Sequence, residues 1–124
     1  MHEDHEQLDQ ELERLGRTLR SGEHMLACLQ LAELALKLDH FLRREERALA
    51  FACLLIGVNR PHALASLRRE HTSLRQLVSA IASALDRADD RSCLASVSKL
   101  RSVLLLHVEK EKRLHAPPQS FEVH

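Results

Sequence analysis

The chain has no tryptophan and no tyrosine, and only three residues each of glycine, proline, cysteine and phenylalanine among 124. With so few turn formers and no alternating apolar runs, a strand-and-hairpin protein is not expected. The cysteines, Cys28, Cys53 and Cys93, are odd in number and scattered, with no CxxC spacing. They predict reduced, buried thiols and exclude a zinc ribbon or redox pair, with Cys93, near a helix start, the more reactive of the three. Charge of one sign is lacking too, with 18 basic and 18 acidic residues. Nucleic acid, which needs a basic surplus on one face, is therefore not an expected partner. No apolar run approaches the roughly 18 residues that suggest a membrane span. The opening "MHEDHEQLDQ" is charged and has no apolar core, so no signal peptide is expected and the cytoplasm is the expected compartment. No P-loop, dinucleotide fingerprint, GxSxG or HExxH is present, and neither is the Glu-x-x-His pair of ferritin-like di-iron bundles.

What the chain does have is leucine, alanine and nine histidines. Leucine and alanine favour helix, and four amphipathic segments follow one another. The first spans about His5–Arg20 on Leu8, Leu12, Leu15 and Leu19, and Ser21 in "RSGE" is placed to cap the next. The second runs from Glu23 to Ile56 and stops at Gly57. The third runs from Pro61, a good first helical residue, to Arg87. In "RADDRS", Asp89 or Asp90 can cap the fourth, which ends near His115 before Pro117-Pro118. Short breaks between long helices favour antiparallel neighbours, so the predicted fold is all-α, an up-down-up-down antiparallel four-helix bundle over residues 1–116 with a C-terminal tail at 117–124.

At about 100° per residue each polar side chain can be placed against its helix's apolar stripe. His5 lies seven before Leu12 and faces the core, and His71 lies three before Leu74 at the stripe's edge. His107 and Glu111 fall within the stripe of Val97, Leu100, Leu104, Val108 and Leu114, stacked four apart. Glu45 lies seven after Leu38, within the stripe of the second helix. His40 does not: it precedes Glu45 by five, about 140° round a straight helix, while Phe41 takes the position four before. Two arrangements are open. Either His40 is a surface residue and Phe41 fills the place with an apolar plug, or a one-residue π-bulge between 40 and 45 brings His40 in. His24, His62, His115 and His124, like Arg43-Arg44 and Arg68-Arg69, read as surface residues. A lone inward histidine is usually a hydrogen-bonded core residue. Three of them with inward carboxylates point further, because a buried carboxylate needs a partner or a metal, and facing imidazoles and carboxylates are how bundles build metal centres. Iron, manganese and zinc all suit that donor set.

Four stretches in order, "DHEQLDQELERL" at 4–15, "DHFLRREERAL" at 39–49, "RREHTSLRQLV" at 68–78 and "LLHVEKEKRL" at 105–114, resemble the hemerythrin family in its bacterial HHE cation-binding branch. The resemblance implies a four-helix bundle with a non-haem di-iron centre. Its ligands would be His5, His40, Glu45, His71, His107 and Glu111, the glutamates bridging the irons and the histidines capping them. Dioxygen, nitric oxide or peroxide would take the open positions, so metal and gas binding is implied rather than turnover. The set of four histidines and two glutamates is closer to the iron-centre repair and iron-sensing members, since Leu67 stands where classical members have another histidine. Two alternatives stay beside this reading. One is a site with a single metal, or one other than iron. The other is a metal-free interaction module or homodimer, suggested by residues 26–38, whose leucines cannot all face one small core.

Overall fold

The computed structural model describes the backbone of residues 2–56 and 61–115 and the side chains of residues 4–55 and 62–110. Four helices account for it: α1 (His2–Arg20), α2 (His24–Ile56), α3 (Pro61–Asp86) and α4 (Asp90–His115). α1 and α3 each pack between α2 and α4, which closes a ring of four. Cross-helix ion pairs give the direction. Asp4 meets Arg44 at 3.3 Å and Glu11 meets Lys37, so seven residues forward on α1 match seven backward on α2. Likewise Arg75 meets Asp39 at 3.3 Å and Arg68 meets Glu46 at 3.5 Å, the antiparallel register of α3 on α2. Such pairs are worth at most about 1 kcal/mol each at a surface; the stripes hold the bundle. Leu12, Leu15, Leu34, Leu42, Leu74, Ile81 and Leu100 are fully buried, each contributing roughly 1.5–3 kcal/mol. Among the described residues no helix is long and apolar enough to cross a membrane.

The turns are made by specific residues. α1 ends with Gly22 in the left-handed region (φ 73°), Gly22 N–H donating to the Leu19 carbonyl at 3.1 Å and Glu23 N–H to that of Thr18 at 3.3 Å. Those bonds satisfy two carbonyls that the helix end would otherwise leave open. Ser21 therefore does not cap α2 as expected: it belongs to the end of α1, and its hydroxyl donates back to the Arg17 carbonyl at 3.1 Å. α3 ends in the same bonding pattern, Ala88 N–H to Leu85 at 3.0 Å and Asp89 N–H to Ala84 at 2.9 Å, with Ala88 in the glycine position at φ 54°. Of the two candidate caps for α4, Asp89 serves, accepting from Ser92 N–H at 3.1 Å and Ser92 Oγ–H at 2.7 Å.

The buried-thiol expectation holds for Cys93 alone; Cys28 is exposed and Cys53 half-buried. Burial pushes the Cys93 thiol up, with Asp90 and Asp89 adding to it, so the helix start does not make it the reactive one. The expected stop at Gly57 and the tail at 117–124 lie outside the described residues.

α2 is the longest helix, with 33 residues against 19 in α1. In the register set by Asp4–Arg44, α1 begins opposite the middle of α2's second half, and the last turns of α2 run on past it. Phe51, Leu54 and Leu55 in those turns are exposed. Met25, Leu29 and Leu36 form a second exposed apolar line at the other end of α2.

Candidate metal centre

Beyond the α1–α2 turn, toward the start of α1, the interior changes character. Glu45 on α2 is 3 % exposed, and His71 on α3 and His107 on α4 are buried beside it. Stripe position explains each. Glu45 lies two turns on from Leu38 and one turn on from Leu42, His71 repeats Leu74, and His107 repeats Leu100 and Leu104. Each helix carries its polar residue inward on a face otherwise made of leucine.

Glu45 Oε1 lies 3.0 Å from His71 Nε2 and 2.9 Å from His107 Nε2, and Glu45 Oε2 lies 3.2 Å from His107 Nε2. The two rings stand 5.4 Å apart, edge to face. Their outer nitrogens are held as well. His71 Nδ1 meets Glu46 Oε2 at 2.8 Å, and His107 Nδ1 meets Glu70 Oε2 at 3.1 Å. Arg68 and Arg75 sit on Glu46, and Lys110 pairs with Glu70. Glu46 and Glu70 were not foreseen. Each is the sequence neighbour of an inward residue, Glu45 and His71, and reaches sideways to the imidazole of the next helix.

The carboxylates fix the rings. A carboxylate only accepts, and a neutral imidazole has one N–H. With Nδ1–H donated outward, each Nε2 turns its lone pair toward Glu45, and three acceptor groups converge. Such a cluster is stable only with a positive charge in common, carried by protons or by a cation. Without a metal, protons serve. Burial would raise the Glu45 carboxyl, but hydrogen bonds from His107 and His71 hold it below its ordinary value near 4.5. Burial would lower His107, but Glu45 and then Glu70 raise it above its ordinary value near 6.5. Glu46 and Glu70 are likewise held low against burial, by His71 and the arginines and by Lys110 and His107.

A cation fits the same place. One ligand atom from each of Glu45, His71 and His107 lies within 4.8 Å of the others. Two ligands bonded at about 2.1 Å and set at right angles are about 3.0 Å apart, the separation found between Glu45 Oε1 and each Nε2. An imidazole whose other nitrogen donates to a carboxylate is the usual state of a metal-ligating histidine.

The other expected ligands are distributed as follows. His5 is buried with its ring centroid 6.4 Å from that of His107 and 4.5 Å from that of Phe41. The Glu111 side chain lies outside the described residues. His40 is exposed and is not brought to the cluster. α2 is α-helical without interruption from His24 to Ile56, so no bulge shifts its register, and His40 stays about 140° from Glu45. Phe41, 3 % exposed, takes the inward position instead. Of the surface histidines, His62 is exposed and His24 is half-buried, its Nε2 2.7 Å from Asp90 Oδ1. His115 and His124 have side chains outside the described residues.

A cleft of about 280 Å³ opens between α3 and α4 beside His107, lined by Leu74, Val103, Leu106 and the Glu70–Lys110 pair. It adjoins the His107 ring from the solvent side.

No curated protein and no solved structure matches the chain. The profile of the hemerythrin HHE cation binding domain does match, over residues 1–117; with an all-α four-helix bundle and a buried Glu–His–His group in place, the chain belongs to that family.

Proposed function

We propose that this bundle is a non-haem iron protein in which Glu45, His71 and His107 hold the metal and dioxygen, nitric oxide or peroxide is the small ligand. The observation that carries this reading is the pair of outward hydrogen bonds, His71 to Glu46 and His107 to Glu70, which orient both Nε2 atoms onto one carboxylate. Two imidazoles and one carboxylate are the donor set of non-haem iron(II) centres that keep positions open for a small ligand. When bound, iron supplies reversible coordination and electron exchange with that ligand. The protein's own residues do the rest. Glu46 and Glu70 keep the rings aimed and basic. Leu42, Leu74 and Leu104 exclude water from the apolar side of the site. The cleft beside His107 offers room for a diatomic molecule next to a ligand. Binding, rather than turnover, is the role that the family resemblance implies.

Anaerobic addition of iron(II) followed by desalting tests the reading. Retained iron, with new visible absorption on exposure to nitric oxide, is the expected result, and His107→Ala abolishes both. Failure of the wild-type protein to retain iron overturns it.

A role in self-association draws on a different observation, the exposed line Met25, Leu29 and Leu36 on α2, where Leu36 is 75 % exposed. Four- and seven-residue spacing on one face is the pattern of a helix–helix seam, and a second copy of the chain would offer the same seam. Sedimentation of the wild type against Leu29→Glu decides it: a dimer lost in the variant supports the seam, and a wild-type monomer removes it.

A further inference from the structure

We propose that the centre holds one metal ion rather than two, bound by Glu45, His71 and His107, because Phe41 occupies the position on α2 where a second ion needs a ligand. The inference rests on the metal-binding reading above and narrows it from the paired irons that the family resemblance implies.

The argument begins with register. A ligand pair on one helix face needs a spacing of three or four residues. Four before Glu45 stands Phe41, buried, on the uninterrupted helix His24–Ile56. A phenyl ring offers no lone pair to a cation. His40, the imidazole one residue away, is on the exposed side.

The neighbourhood of Phe41 adds to this. Its ring packs on His5 with centroids 4.5 Å apart and planes at 74°, an edge-to-face contact. The His5 ring is thus packed against an apolar ring that offers no ligand atom. An ion against that ring would lose hydration and gain no ligand from Phe41, and a charge placed in an apolar environment costs on the order of several kcal/mol.

Glu45 supplies the third strand. A carboxylate that bridges two ions directs one oxygen to each. Here both oxygens turn the same way: Oε1 faces His71 and His107, and Oε2 faces His107 at 3.2 Å. Both oxygens of the carboxylate are thus engaged by the imidazoles of the α3–α4 side. Two metal positions in a bundle of this kind are distinguished by which helices serve them. The α3–α4 position has its imidazoles, outer carboxylates and inward carboxylate in place, while among the described residues the α1–α2 side brings His5 and a phenyl ring.

The test is a count of metal per chain after anaerobic iron(II) loading and desalting, by elemental analysis, repeated with cobalt(II). One equivalent is expected in the wild type, unchanged in His40→Ala and absent in His71→Ala. Phe41→His, which puts an imidazole four before Glu45, is expected to raise the count to two. Two equivalents in the wild type, or a count halved by His40→Ala, would overturn the single-ion assignment, and a folded Phe41→His that still holds one would overturn Phe41 as its cause, each while leaving metal binding intact. A wild-type count of zero overturns both. The wild-type and His40→Ala counts stand whether or not Phe41→His folds.

Discussion

Toward the α1–α2 turn the interior consists of Leu15, Leu19, Ala27, Leu31, Leu34, Ile81, Cys93 and Val97. Toward the start of α1 the same four stripes carry His5, Phe41, Glu45, His71 and His107. The two halves are buried to similar depth and are held by different physics. In the leucine half every buried atom gains by leaving water, so packing alone is enough. In the polar half three acceptor-rich groups lose hydration and recover it only through partners that must all be present. An apolar core would stabilise the bundle with fewer requirements, as replacements of buried ion pairs elsewhere indicate. Retaining the polar group is therefore understandable as a binding function, and it makes the outer carboxylates, which hold the buried imidazoles from their outer side, as necessary as Glu45.

The comparison breaks most visibly in the leucine half. Leu15→Ala or Ile81→Ala leaves a cavity into which the packed core relaxes only in part, and a loss of about 3 kcal/mol is expected in urea denaturation. Metal affinity measured on the folded protein should be unchanged, since neither side chain reaches the cluster. In the polar half the expectation reverses. Glu46→Ala or Glu70→Ala frees one imidazole from its outer partner, and metal affinity should fall roughly 10–100-fold in competition titrations. Glu33→Ala, at the exposed i,i+4 pair with Lys37, is the control that leaves affinity where it was.

Acidity sharpens the contrast further. His107 is raised above its ordinary value, so its contribution to stability is complete below about pH 6.5 and is lost as the pH rises through the raised value. Glu45, Glu46 and Glu70 are lowered, so theirs is complete above about pH 4.5 and is lost as the pH falls through the lowered values. The metal-free protein should therefore be most stable between those two points and weaken toward alkaline pH, by urea midpoints measured with a chelator present. Metal binding displaces the proton on His107, so affinity should rise with pH over the same alkaline stretch where the metal-free protein weakens. The smallest effect belongs to neither half. Ala88 adopts a left-handed conformation that costs an L-residue about 1–2 kcal/mol. Ala88→Gly should stabilise by about 1 kcal/mol in thermal denaturation, with no change in metal affinity.

Much of this was legible before any coordinates. Leucine periodicity gives the four helices, with ends within about three residues of those observed, because the stripes are long and the breaks carry glycine, proline or paired aspartates. The inward directions of His5, Glu45, His71 and His107 follow from seven-residue and three-residue offsets to leucines on the same helix. Three things were not legible. The choice between His40 and Phe41 turns on whether the helix bulges, and an apolar ring that can be buried against His5 is a better filler than a strained turn. Glu46 and Glu70 sit one residue from inward positions, about 100° round the helix, and their roles arise only when the adjacent helix brings an imidazole within reach. Ser21 looks like a cap in sequence, but Gly22 takes the left-handed turn and assigns Ser21 to the preceding helix.

The most direct measurement is the thermal midpoint of the chelator-treated protein with and without added iron(II) or zinc, in the wild type and in Glu45→Ala. A metal held at a concentration 100-fold above its dissociation constant adds about 2.7 kcal/mol, a shift on the order of 10 °C for a domain of this size. The account predicts such a rise in the wild type and none in Glu45→Ala. An unchanged wild-type midpoint, or an equal rise in the variant, would contradict it.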